Sequence, residues 1–90
     1  MVRKYRVELT PESISDLKDI DPIIAQRILA KIKWLSENFE SITPELLTAE
    51  FKGMCKLRVG NWRVIYTVNS EEKIIAVLMV GHRSSIYKLL

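Results

Sequence analysis

Lys56, Arg58 and Arg63 interrupt an otherwise apolar run, KLRVGNWRVIY, and a further cation, Arg83, sits between His82 and Tyr87 in GHRSSIY. The Gly60-Asn61 pair inside the first segment signals a two-residue hairpin turn, and such a turn dictates strand register. Val59 should then face Trp62, Arg58 should face Arg63, Leu57 should face Val64 and Lys56 should face Ile65. Opposed residues share a side of the sheet. Leu57, Val59, Trp62, Val64, Tyr66 and Val68 therefore form a core face, and Lys56, Arg58, Arg63, Ile65 and Thr67 form a charged one. Two arginines placed opposite each other destabilise a sheet unless negative charge lies between them. The pattern predicts an anion site with no carboxylate of its own. Guanidinium forks and an ammonium suit a phosphodiester, whose transition state carries extra charge.

Such chemistry also requires a proton acceptor. His82 is one candidate, since an imidazole ordinarily titrates near ~6.5. Tyr87 is the other, although a phenol, ordinarily near ~10, needs cations close by to act as a base. Both have quieter alternatives, His82 as a strand-end surface residue and Tyr87 as an apolar contact beside Ile86 and Leu89. The charged face also has one: Ile65, Val77 and Met79 would make it half apolar, with cations at its rim and the C-terminal residues as a cover. If the next turn pairs Val68 with Ile74, then Ile74, Ala76, Leu78 and Val80 join the core. Ile75, Val77, Met79 and Gly81 then join the charged face, and the same parity delivers Arg83 to it near the hairpin turn.

Composition narrows the classes of function. Ninety residues suffice for one domain, 1–90, around a single small core. No apolar stretch approaches the ~20 residues of a membrane helix, and the opening MVRKYRVELT lacks a secretory h-region, so a cytoplasmic protein is expected. One cysteine, Cys55, forms no internal disulfide and reads as a small buried strand residue. With a single histidine beside it, no zinc-type ligand set is expected, and neither metal nor other cofactor is implied. The net charge of +3 is unevenly spread: residues 1–45 hold seven Lys/Arg against eight Asp/Glu, and residues 46–90 hold seven against three. Lys52, Lys56, Arg58 and Arg63 fall in a stretch, 52–70, without an acid. That is the footprint of a protein that meets phosphates or an acidic partner.

The elements that position these residues are readable in outline. Residues 3–9 alternate Tyr5, Val7 and Leu9 with charged neighbours, the period of a strand. Thr10-Pro11 starts a helix that should run to about residue 20 with Ile14, Leu17 and Ile20 as its stripe. Asp21-Pro22 starts a second, with Ile24, Ile28, Ile32 and Leu35 on one face. After residue 36 a connection is expected, with one further short helical turn at Thr43-Pro44 and with Phe39, Leu46 and Leu47 as core plugs. Strands follow at 54–59, 62–68 and 73–80, and residues 84–90 suggest a short helix with Ser84 near its cap. The fold class is α+β: an N-terminal strand, a helical hairpin and a three-stranded antiparallel meander. Together they make a four-stranded sheet with helices on one face and a short C-terminal helix.

KLRVGNWRVIYTV followed by VLMVGHRSSIYK, after a strand and a helical hairpin, resembles the RelE branch of the RelE/ParE toxin superfamily along almost the whole chain. The resemblance implies the toxin of a type II toxin-antitoxin system, a ribosome-dependent endoribonuclease that cuts mRNA without a metal. The RNA 2′-hydroxyl attacks the adjacent phosphate and leaves a 2′,3′-cyclic phosphate and a free 5′-hydroxyl. It implies catalytic roles for Lys56, Arg63 and Arg83 at the phosphate and for Tyr87 as general base, with Lys52, Arg58 and His82 as RNA contacts. It also implies an acidic antitoxin in a hetero-oligomer with the toxin, with ribosome and mRNA as further partners and no membrane. The chain departs from the fullest family pattern at Met54, where well-known members carry a second lysine, and in a shorter spacing from Arg83 to Tyr87 than some members have. Two alternatives accompany this reading, a ParE-type inhibitor of DNA gyrase and a catalytically inactive domain that binds RNA or antitoxin.

Overall fold

A computed structural model describes residues 4–47, 51 and 53–89. Strand β1 (Arg6–Leu9) leads into helix α1 (Pro11–Lys18), helix α2 (Pro22–Asn38) and a 3-10 turn (Phe39–Ser41). Strands β2 (Glu45–Leu46), β3 (Met54–Val59), β4 (Trp62–Asn69) and β5 (Ile74–His82) follow, and a second 3-10 turn (Ile86–Leu89) closes the described chain. The sheet order is β1-β5-β4-β3-β2, with β1 parallel to β5 and every other pair antiparallel. The α+β class is as expected, with five strands in place of four.

Local chemistry sets the helix starts. Thr10, in an extended conformation, accepts the Ser13 N–H on Oγ1 at 3.2 Å, and Pro11 occupies the first helical position, where no N–H is needed. Asp21 does the same for α2, its carboxylate accepting the Ile23 N–H at 2.9 Å before Pro22. Helix α1 ends two residues earlier than anticipated. Leu17 and Ile20 pack against the core, whereas Ile14 is exposed and Ser13 takes the buried position. Polar groups of this helical start finish the job of the short strand β1. Thr10 donates through Oγ1 to the Leu78 carbonyl (2.9 Å), and Asp16 accepts the Val80 N–H (2.9 Å).

The core lies between α2 and one face of the sheet. Ile28, Ile32 and Leu35 are buried against Cys55, Leu57, Val64, Tyr66, Ile75, Val77 and Val80, with Tyr5 and Phe39 stacked at 4.8 Å along the edge. Each fully buried aliphatic side chain contributes roughly 1.5–3 kcal/mol.

Three expectations need correction. Thr43-Pro44 starts no helical turn, because the residue before a proline is pushed toward extended geometry and the chain beyond finds the edge of β3. Glu45 pairs with Lys56 and Leu46 with Cys55, which makes the fifth strand and leaves Leu46 on the surface, 66% exposed, not in the core. Phe39 does pack on the core. Strand β5 pairs one residue out of step with expectation. Asn69 faces Ile74, so Ile75 and Val77 enter the core while Ala76 and Ile74 face away. Lys73, at φ +56°, absorbs the tighter turn. A bulge then skips Leu78: Tyr66 faces Val77 and Ile65 faces Met79. This extra residue restores the parity for Val80 and Gly81, so Gly81 still lies on the charged face, opposite Arg63. The expected short C-terminal helix is present as the 3-10 turn Ile86–Leu89, and Ser84 lies in the turn just before it.

Candidate functional site

The hairpin has the register its sequence predicts. Gly60 sits at φ +58°, where a residue with a Cβ is strained, and Arg58 faces Arg63 while Lys56 faces Ile65. The like-charged pair is relieved by sending the two guanidinium groups in different directions. Arg58 reaches sideways and donates to Glu45 Oε1 at 2.8 Å. Arg63 curls onto the turn and donates from Nη1 to the carbonyls of Gly60 (2.9 Å) and Trp62 (2.8 Å).

Glu45 is the residue the sequence reading missed. It stands on β2 opposite Lys56, whose Nζ lies 3.6 Å from the same Oε1, so one carboxylate bridges both cations. The face therefore carries an acid of its own, contrary to expectation. The hydrogen bond from Arg58, helped by the charges of Arg58 and Lys56, holds the Glu45 carboxyl below the usual carboxylate range. The available signal was weak: an acid directly after Thr43-Pro44, in a segment read as connection.

Lys56 also faces the C-terminal turn. Its Nζ lies 5.6 Å from the centroid of the Tyr87 ring, and Tyr87 is 43% exposed while Lys56 is half-buried. Arg83 follows β5 directly, is exposed, and its N–H donates to the Asn61 carbonyl at 2.8 Å, which ties it to the hairpin tip beside Arg63. Lys56, Arg58 and Tyr87 thus gather at one end of the outer face, and Arg63 and Arg83 at the other. His82 is not part of this group. It faces Trp62 across the ladder, its ring meets the indole edge-on at 5.4 Å, and its Nδ1 accepts the Ser84 N–H at 3.2 Å and lies 2.8 Å from Ser84 Oγ. Its role is to fold the reversal after β5. Lys52 lies outside the described residues.

Beside the Glu45 bridge, an open groove of about 290 Å³ runs between α2 and the β2–β3 edge of the sheet, with Trp34, Ile42, Pro44 and Tyr66 as its apolar walls and Lys31 and Arg58 among its charges. On the helix side, burial pushes the Cys55 thiol up, and burial with the neighbouring Cys55 pushes the Tyr66 phenol up strongly. Neither serves as a nucleophile or base at neutral pH.

The outer face thus presents cations with a tyrosine against one of them, on a sheet backed by a helical hairpin. Residues 7–87 match the family model of the ParE toxin of the type II toxin-antitoxin system parDE. The chain belongs to the RelE/ParE toxin superfamily and is a toxin of a type II toxin-antitoxin system. It is 30% identical over 93 residues to a RelE-like toxin protein of Escherichia coli, a match that covers 96% of this chain and 93% of the relative. In three dimensions it is similar to a chain of the RelBE2 toxin-antitoxin complex of Mycobacterium tuberculosis. That match has TM-score 0.82 and 25% identity over 93% of this chain and 97% of the other. A mutant of E. coli toxin RelE in the free state superposes with TM-score 0.78 at 15% identity, covering 94% and 90%, a likeness of fold alone. Among the described residues, no helix is long and apolar enough to cross a membrane.

Proposed function

We propose that this toxin is an endoribonuclease that cuts mRNA on the ribosome in the cytoplasm, with no metal in the reaction. The observation that carries the reading is the contact between Lys56 and Tyr87, 5.6 Å from ammonium to ring centroid, on the face that also bears Arg58 and Arg63. A phosphodiester laid across that face meets an ammonium at one end and two guanidinium groups near the hairpin tip. Its base has an exposed ring to stack on.

In the reaction, the RNA 2′-hydroxyl attacks the adjacent phosphorus, Tyr87 takes its proton, and the bond to the 5′ oxygen breaks, with water protonating the leaving oxygen. Lys56, Arg63 and Arg83 stabilise the charge that gathers on the phosphate oxygens. Arg63 is drawn away from its own turn to do so, an exchange of two backbone hydrogen bonds for charge-assisted ones. Glu45, bridging Lys56 and Arg58, orients both cations. The ribosome supplies much of the orientation of the message. Lys52 and Arg58 complete the RNA contacts.

The partner that restrains the toxin is an acidic antitoxin bound in a hetero-oligomer, as the similar chain from M. tuberculosis is in a toxin-antitoxin complex. The family-model match favours one second reading, a ParE-type inhibitor of DNA gyrase. Mapping mRNA 5′ ends after induction separates the two. Cuts inside translated codons that vanish in Arg83→Ala are expected, and arrest with intact message and impaired supercoiling would overturn the nuclease reading.

A further inference from the structure

The 3-10 turn that carries Tyr87 spans only Ile86–Leu89, far too short to hold a shape by its own hydrogen bonds. What anchors it is visible on the outer face. Ile86 is completely buried, yet it is not part of the core cluster on the helix side of the sheet. Its seat is Gly81. A Cβ placed on Gly81 would come within 2.8 Å of Ile86 Cδ1 and 3.4 Å of Ile86 Cβ. Gly81 faces Arg63 across the ladder, so this seat opens on the side that bears the cations, where Ile65 is also fully buried. The return of the chain onto that seat is folded by His82, whose carbonyl accepts the Ser85 N–H at 3.0 Å and whose ring accepts the Ser84 N–H.

We propose that Ile86 is a positioning residue: seated on Gly81, it holds the Tyr87 ring against Lys56 without touching the substrate. The inference rests on the nuclease reading for its effect on rate, while the position of the ring is a claim about the toxin alone. The absent side chain at position 81 is what lets a β-branched residue sit directly on the strand, and the next residue along is then delivered to the cation. Ile86 thus converts a sheet contact into the placement of a proton acceptor, a placement in which an error of an ångström costs about 100-fold in rate.

The test uses wild-type toxin and the variants Ile86→Ala, Ile86→Val, Gly81→Ala and the pair Gly81→Ala with Ile86→Val. The first readout is the NMR shift of the Lys56 ε-methylene protons, displaced by the Tyr87 ring current, with Tyr87→Leu as the zero. Ile86→Ala is expected to lose more than half of that displacement, and Ile86→Val, which removes the Cδ1 atom that meets Gly81, to lose a smaller part. Gly81→Ala should lift the turn, and Ile86→Val in the same chain should restore the displacement by vacating the space the new methyl needs. The second readout is ribosome-dependent cleavage. Here kcat should fall by about 10–100-fold in Ile86→Ala with KM within twofold. Combined with Tyr87→Phe, Ile86→Ala should add less than twofold. An unchanged Lys56 shift in folded Ile86→Ala or Ile86→Val, full kcat in Ile86→Ala, or a multiplicative loss in the double variant would each overturn the proposal. A wild-type toxin that cuts no RNA would sink the proposed reaction instead, and the proton shift would still decide the positioning claim.

Discussion

The two faces of one sheet are built to different rules. On the helix side, Ile28, Ile32 and Leu35 close over Val64, Tyr66, Ile75 and Val77, and even the buried hydroxyls there are spoken for: Ser13 Oγ donates to the Thr10 carbonyl, and Ser36 Oγ to the Lys33 carbonyl. On the outer face a small apolar patch around Ile65, Gly81 and Ile86 is ringed by cations whose partners are makeshift. One carboxylate serves two of them, and Arg63 binds the carbonyls of its own turn. Apolar packing needs only matching volume, so the first face is complete as it stands. Opposed like charges gain from an external anion, so the second face is the one the proposed RNA would complete.

This contrast predicts separable losses. The largest belongs to Arg83→Ala, which should lower cleavage by about 10²–10³-fold, the usual cost of one donor to a charged transition state. Thermal unfolding should place its stability within about 0.5 kcal/mol of wild type, since the residue is exposed. Ile28→Ala should do the reverse, costing roughly 2–5 kcal/mol in denaturant unfolding. Cleavage per folded molecule should survive, and a loss of activity beyond the unfolded fraction would mean that the faces are coupled.

A smaller effect concerns Glu45. Its carboxyl is held below the ordinary value by Arg58 and Lys56, so its contribution to stability is fully present above the ordinary carboxylate range and disappears as pH falls through the depressed value. Between neutral pH and about pH 5, melting curves of wild type and Glu45→Gln should therefore run parallel, and they should converge only below the ordinary carboxylate range. A difference between the curves that does not change with pH down through the carboxylate range would mean that the bridge is absent in solution. The same variant sharpens the site: an activity loss far exceeding the stability loss would give Glu45 a part in the reaction.

The legible parts of the molecule were those governed by local chemistry. Thr10-Pro11 and Asp21-Pro22 announce both helices because an oxygen cap followed by a residue without an N–H has few other uses. Gly60-Asn61 gives the hairpin register for the same reason, and with it the shared face of Lys56, Arg58 and Arg63. What escaped was non-local. Strand β2 is two residues long, too short for any periodicity, and exists because Glu45 and Leu46 meet the edge of β3. The β5 register depends on a lysine in a left-handed turn and on a bulge at Leu78, two departures that cancel before Gly81 and leave Arg83 near the hairpin turn as anticipated. The seat of Ile86 on Gly81 was equally hidden, since nothing in GHRSSIY says which glycine is needed for contact and which for a turn.

The most direct test of the outer face as a phosphate site is cleavage of a defined mRNA by the purified toxin on programmed ribosomes, with the chemistry of both new ends determined. Cleavage that leaves a 2′,3′-cyclic phosphate and a 5′-hydroxyl, and that is reduced about 10²–10³-fold in Arg83→Ala, is the predicted result. Intact message, or ends bearing a 3′-hydroxyl and a 5′-phosphate, would contradict it.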